Sequence, residues 1–161
     1  MPGKESWAKM MLVPSGRDDD RHETEDEMDE KNVQVTFAGG YKVQAEYKGF
    51  KILTDQPTHS GGEGSALSPF DLFLVSLATC AGYFVVAFCR ERNIPIDDGG
   101  VTLEVSRNPE TKRIEKIGIK LALPAGFPEK YKNAVIKAAD SCTVKAYIHH
   151  PPAFEITAQI G

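Results

Sequence analysis

The sequence has few of the features that mark secreted, disulfide-stapled or nucleic-acid-binding proteins. Three cysteines in 161 residues are an odd number at low density, which favours reduced thiols in a cytosol over a disulfide framework. The first residues lack the apolar run of a secretory signal. Basic residues do not dominate, since 19 Lys and Arg stand against 23 Asp and Glu. We therefore expect a cytoplasmic protein that does not bind nucleic acid.

Charge is distributed unevenly along the chain. Residues 16–31 are almost wholly polar and mostly acidic, so they cannot bury enough apolar area to offset the entropy of ordering. We predict that residues 1–31 are an acidic, flexible leader and that residues 32–161 form one domain. A second possibility, that the apolar residues 10–13 dock on the body or on a partner subunit, stays open.

The domain begins with alternating apolar and polar residues. This pattern predicts antiparallel strands at residues 33–37, 41–47 and 50–54, with Gly39 and Gly40 in the first turn. The same alternation returns at residues 101–106 and 114–123, and again in a final strand at 153–158. Pro128 opens a second, amphipathic helix that reaches Cys142. The predicted class is α+β.

A long helix between the two groups of strands has a well-specified start. Ser68 is placed as the N-cap, Pro69 as the first helical residue and Asp71 as a carboxylate in the first turn. About 24 residues of helix are expected before Asn93, and they are apolar on nearly every side.

The apolar character of this helix allows two interpretations. A membrane span is disfavoured, because polar residues and Gly82 interrupt the helix and no second span follows. A helix that is apolar all round in a small soluble chain is better explained as the centre of a core that a second subunit helps to bury. We therefore expect no membrane association and a homodimer.

The sequence gives no sign of a cofactor or a metal. The glycine-rich loop at residues 55–67 matches neither the dinucleotide nor the P-loop signature, so a turn or flexible lid is predicted. The Cys and His residues lack the spacing that would direct two ligands to one metal. Those residues are Cys80, Cys89, Cys142, His149 and His150.

The three thiols are the candidate chemical groups. Cys80 and Cys89 lie nine residues apart on the long helix, so at about 100° per residue they face opposite sides and are not partners. Cys142 ends another helix, and only tertiary structure can bring it to Cys80 or to Cys89. For any one of them the default interpretation is a small inert hydrophobe.

Several segments resemble the OsmC/Ohr family, the osmotically inducible and organic hydroperoxide resistance proteins. Residues 68–80, Ser-Pro-Phe-Asp-Leu-Phe-Leu-Val-Ser-Leu-Ala-Thr-Cys, are similar to its helix motif that leads to a Cys. Residues 138–144, Ala-Ala-Asp-Ser-Cys-Thr-Val, resemble its second Cys motif. The three-strand start and the glycine-rich loop extend the likeness over residues 33–160.

The resemblance implies an α+β homodimer with antiparallel, intertwined sheets around two long central helices and with active sites at the subunit interface. Cys80 would be the peroxidatic thiolate and Cys142 the resolving thiol of an oxidative stress enzyme. A hydrophobic organic hydroperoxide would be the substrate and a dithiol the reductant. One alternative is a protein of the same family that binds a small apolar ligand or senses redox state without peroxidase turnover, and another is a structural dimer with no ligand.

Three departures from the family pattern bear on the site. The family's peroxidases carry an activating Arg on the N-terminal sheet or its loop, whereas no Arg lies between Arg21 and Arg90 here, and the possible substitutes on the strands are lysines. Asp71 fits the less characterised OsmC-like branch and is either catalytic or only a helix cap. Thr143 follows the second Cys, where the family commonly has Pro. The lysines in question are Lys42, Lys48 and Lys51.

Overall fold

The computed structural model describes residues 32–160, so the predicted leader of residues 1–31 lies outside the described part of the chain. Three short strands come first: β1 (Gln34–Phe37), β2 (Val43–Tyr47) and β3 (Phe50–Thr54). They form an antiparallel meander in that order, and Ala45 pairs with Val35 on one side and Ile52 on the other. Gly39 and Gly40 adopt φ values of 91° and 57° in the first turn, a region that glycine enters without a Cβ clash.

The long helix α1 spans Pro69–Arg90 and begins as predicted. The Ser68 hydroxyl accepts the Asp71 N–H at 3.2 Å, and the Asp71 carboxylate accepts the Ser68 N–H at 2.9 Å. These reciprocal bonds form a capping box, which satisfies two of the free N–H groups at the helix start. The helix ends two residues earlier than the sequence predicted, just before Asn93 turns with a φ of 52°.

The second half of the chain surrounds α1. Strands β4 (Gly100–Arg107) and β5 (Ile114–Ala122) pair as an antiparallel ribbon with an irregularity at its far end. A 3-10 turn (Glu129–Tyr131) leads into helix α2 (Lys132–Asp140), which is followed by the short helix α3 (Thr143–His149). The predicted α+β class is confirmed. The core lies where α1 meets α2, and its buried members are Ala81, Val85, Cys89, Ile94, Val135 and Ala139.

The predicted strand at residues 153–158 is wrong for the single chain. Residues 151–160 form neither helix nor strand and are exposed throughout. Phe154, Ile156 and Ile160 are 85%, 95% and 100% exposed. A strand requires a neighbour to satisfy its N–H and C=O groups, and none of the five strands in residues 32–160 pairs with this segment.

Much apolar surface of the described chain stays uncovered. Phe37 on β1 and Phe50 on β3 are 90% and 73% exposed, and Tyr83 on α1 is 67% exposed. Within residues 32–160, α1 is the one helix that is long and apolar enough to cross a membrane by length and composition, a test that core helices of soluble proteins also pass. Only 22% of its most apolar window is buried inside the chain. The uncovered surface is larger than scattered single residues account for.

Candidate functional site

All three cysteines are free thiols. Two of them, Cys80 and Cys89, lie on different faces of α1, and Cys142 packs against α1 from the start of α3. Cys89 is fully buried in the core beside Val85 and Ala139. Cys80 is half-buried on another face of the helix. Cys142 is 1% exposed and lies between α2 and α3.

Hydrogen bonds place Cys142 on the Cys80 side of α1. The Cys142 thiol donates to the carbonyl oxygen of Leu77 at 3.9 Å, and Leu77 lies one turn before Cys80. The same sulfur accepts the Lys145 N–H at 3.4 Å and so acts as the N-cap of α3. Tertiary structure therefore brings Cys142 next to Cys80 and leaves Cys89 in the core.

Burial and the neighbouring thiol both change the pKa of Cys142. Burial raises the pKa of the Cys142 thiol, and the neighbouring Cys80 thiol raises it further, while the backbone N–H groups of Lys145 and Val144 oppose the shift. Burial also raises the pKa of Cys89, partly offset by the Arg92 guanidinium. Both buried thiols are therefore protonated at neutral pH.

Asp71 lies at the start of α1, away from the two thiols. Nine residues separate it from Cys80, which is about 13 Å of helix rise, so the two side chains of one chain do not touch. The Ser68 hydroxyl and N–H lower the pKa of Asp71, and the positive charge of Arg107 adds to this effect. Arg107, at the end of β4, acts on this carboxylate through its charge and not through a hydrogen bond, and its side chain donates to the Lys112 carbonyl at 3.1 Å.

The three lysines proposed as substitutes for the family Arg have partners near their own sheet. Lys42 forms an ion pair with Glu63 at 2.7 Å, and Lys51 forms one with Glu46 at 3.6 Å. Lys48 lies over the ring of its neighbour Tyr47, with Nζ 5.4 Å from the ring centroid. In the single chain these contacts direct the lysines to their own sheet and its loop.

The glycine-rich loop is organised by Asp55, a residue that sequence analysis did not single out. Its buried carboxylate accepts the N–H groups of Gln56, Glu63 and Ser65 at 2.8, 3.2 and 3.0 Å and the Ser65 hydroxyl at 2.8 Å. These bonds, led by the Ser65 N–H and opposed by burial, lower the pKa of Asp55 to about 2. A Cβ on Gly62 would lie 1.9 Å from the Gln56 carbonyl oxygen. Sequence analysis predicted either a turn or a flexible lid for this loop, and the structure shows a hydrogen-bonded turn.

The described residues hold no group of three or more His, Cys, Asp and Glu side chains that could bind a metal ion. Cys80 and Cys142 are two neighbouring thiols, of which Cys80 is half-buried and Cys142 fully buried. Such a pair can be oxidised to a disulfide and reduced again.

Comparison with known proteins finds one family model and several solved structures that match this chain. The family model described as OsmC-like protein matches residues 62–157. A solved structure from Psychrobacter arcticus, described provisionally as an osmotic stress induced and detoxification response protein, is 25% identical with a TM-score of 0.63, over 73% of this chain and 87% of that chain. No curated protein sequence matches.

Two further structures share the fold. The OsmC like protein of Mycoplasma pneumoniae is 17% identical with a TM-score of 0.59, over 74% of this chain and 87% of that one. An organic hydroperoxide resistance protein, OsmC, from Legionella pneumophila is 24% identical with a TM-score of 0.50, over 73% and 88% of the two chains. At these identities the likeness establishes the architecture of the chain.

Proposed function

This chain belongs to the OsmC-like protein family, and from that premise we propose that it reduces organic hydroperoxides with Cys80 and Cys142 as its redox pair. The observation that carries the proposal is the meeting of two thiols that lie 62 residues apart in the sequence. The hydrogen bond from Cys142 to the Leu77 carbonyl supports the same placement. The name of the Legionella relative points to this class of substrate.

The exposure of the two thiols supports the proposed roles of Cys80 and Cys142. Cys80 is half-exposed and Cys142 is buried, so Cys80 is the sulfur that a substrate reaches first. The Cys80 thiolate attacks one oxygen of the O–O bond, which releases an alcohol after protonation and leaves a sulfenic acid. Cys142 then displaces water from that sulfenic acid and forms the disulfide. A dithiol reductant reopens the disulfide and regenerates both thiols.

A homodimer is part of this proposal. The apolar faces of β1–β3 and α1 and the segment of residues 151–160 all lack a cover within the described chain. A second copy would cover them in the intertwined arrangement that the sequence resemblance implies. Because exposed Tyr83 follows Cys80 by less than one turn of α1, the thiol would lie at the edge of that interface.

The surroundings of Cys80 favour an apolar substrate. Phe73 and Leu77 precede it on α1, and Tyr83 and Phe84 follow it with their rings in edge contact, their centroids 5.3 Å apart. Such a lining suits the carbon chain of an organic hydroperoxide better than hydrogen peroxide. A cytoplasmic location, with its supply of dithiol reductants, stays a prediction.

A second candidate function is redox sensing, or small-ligand binding, without peroxidase turnover. Burial and the neighbouring Cys80 thiol raise the pKa of Cys142, which favours redox sensing over turnover, because a protonated resolving thiol captures a sulfenic acid slowly. A protein of this kind would be oxidised at Cys80 once per signal and would not turn over with a dithiol.

Peptide mass spectrometry of the reduced protein tests the proposal. We expect one equivalent of cumene hydroperoxide to produce a Cys80–Cys142 disulfide faster than one equivalent of hydrogen peroxide does. Cys80→Ser should abolish turnover, whereas Cys89→Ala, which alters the buried thiol away from the site, should retain it. A Cys80 sulfenic acid that persists would favour sensing, and thiols that do not react would exclude both redox functions.

A further inference from the structure

An ion pair spans the turn that carries Cys142. Asp140 is the last residue of α2, and Lys145 lies in the first turn of α3. Their side chains form a salt bridge, in which the Lys145 side chain is 30% exposed and that of Asp140 is 75% exposed. Cys142 lies between the two charges in sequence.

Both charges oppose the dipole of their own helix. A helix presents partial negative charge at its C-terminus, where Asp140 lies, and partial positive charge at its N-terminus, where Lys145 lies. Neither residue is therefore placed to stabilise its own helix. Their arrangement is explained by the bond between them, which ties the end of α2 to the start of α3.

Lys145 holds Cys142 by a second contact. Its backbone N–H donates to the Cys142 sulfur at 3.4 Å, while its ammonium group binds Asp140. On the other side, the Cys142 N–H donates to the Ala139 carbonyl at 3.3 Å, which continues the end of α2. The Cys142 thiol in turn donates to the Leu77 carbonyl on α1. Salt bridge, turn and thiol form one connected group of contacts.

We propose that the Asp140–Lys145 salt bridge is a positioning device that holds Cys142 beside Cys80 and so accelerates closure of the disulfide. The inference rests on the proposed function. In the step concerned, Cys142 attacks the Cys80 sulfenic acid, the S–O bond breaks, and water leaves as the S–S bond forms. A second molecule of hydroperoxide competes by oxidising the sulfenic acid to a sulfinic acid.

The salt bridge acts through geometry. The Lys145 ammonium is engaged by Asp140, and the contribution of Lys145 to the thiol comes from its backbone N–H. Reaction between two groups on one protein depends on how often they are in contact at the reacting geometry. A turn without its salt bridge samples more conformations and presents Cys142 to Cys80 less often.

The test uses the full chain and rapid quenching after addition of cumene hydroperoxide. Asp140→Asn and Lys145→Met each remove the salt bridge, and the exchanged variant Asp140→Lys with Lys145→Asp restores it with reversed charges. Glu104→Gln is the matched control, because it removes an exposed ion pair on strands that carry no thiol. In this pair the Glu104 Oε1 on β4 lies 2.6 Å from the Lys120 Nζ on β5. Loss of Cys80 thiol and appearance of the disulfide are followed separately.

We expect oxidation of Cys80 to keep its rate in all variants. Disulfide closure should slow by about two- to fivefold in the two single variants, as expected for the loss of a partly exposed ion pair. Sulfinic acid at Cys80 should rise in the same proportion. In the exchanged variant and in Glu104→Gln, the disulfide should close at the same rate as in the unchanged protein. If the single variants were slow only because they were less stable, the exchanged variant would not recover this rate.

Two outcomes would overturn the inference, and they differ from failure of the proposed function. Equal closure rates in the unchanged protein and both single variants would exclude a positioning role. Slow closure in the exchanged variant would show that the salt bridge is not what matters. If the unchanged protein forms no Cys80–Cys142 disulfide at all, the proposed function itself is wrong.

Discussion

Ile156→Ala should weaken the proposed dimer strongly while leaving the fold of each chain unchanged. Ile156 is 95% exposed and lies in the segment of residues 151–160, which forms no strand in the single chain. Phe154, Ile156, Ala158 and Ile160 alternate with polar residues, the pattern of a strand with one buried face. A second copy of the chain would supply the missing strand edge and cover that face.

The size of the effect follows from this exposure. Nearly the whole side chain is available for burial, and truncating a buried Ile to Ala costs about 2 kcal/mol or more. A symmetric dimer buries two such segments, so the free energy of association should become less favourable by about 4 kcal/mol. This corresponds to about a thousandfold increase in the dissociation constant.

Sedimentation velocity over a dilution series measures the dissociation constant directly. Thr157→Ala is the matched control, since its side chain lies on the opposite face of the segment and should change the constant by less than about fivefold. Circular dichroism should show the same helix content in all three proteins. A dimer with equal affinity in the Ile156→Ala protein, or a chain that stays monomeric, would refute the reasoning.

Two further predictions follow from hydrogen bonds at single residues. Cys142→Ala should lower the free energy of unfolding by about 1 kcal/mol relative to Cys142→Ser, because only Ser keeps an acceptor for the Lys145 N–H at the start of α3; equal urea midpoints for the two variants would contradict this. Because the pKa of Asp55 is lowered to about 2 from an ordinary 3.8, its contribution to stability is complete above pH 3.8 and is lost as pH falls toward 2. Acid unfolding followed by circular dichroism should therefore be steeper over that range in the unchanged protein than in Asp55→Asn, and parallel curves would argue against this role of Asp55.

Local patterns determined most of the elements of this protein. The alternation at residues 33–54 predicted β1, β2 and β3, and Ser68, Pro69 and Asp71 predicted the start of α1, which a capping box confirms. These features depend on residues that are near neighbours in sequence. Backbone sterics, capping bonds and side-chain periodicity act over a few residues, so they can be read without a structure.

Tertiary structure decided which of the two thiols on α1 lies next to Cys142. Helical periodicity separated Cys80 from Cys89, but nothing in the sequence could choose which of them Cys142 approaches. The packing of α1 against α2 and α3 places it beside Cys80. The Asp140–Lys145 salt bridge across the turn and the Asp55 carboxylate inside its loop are likewise products of the folded chain.

The segment of residues 153–158 also shows that sequence patterns do not predict contacts between distant parts of the chain. Its alternation is typical of a strand with one apolar face, yet the single chain leaves it unpaired and the strand prediction is wrong there. Periodicity reports which face of a segment is apolar, whereas a strand also requires hydrogen-bonding partners that lie far away in sequence or on another chain. The sequence by itself therefore determined most of the elements and their apolar faces, and only tertiary structure decided which distant groups meet, because those contacts depend on how the elements pack.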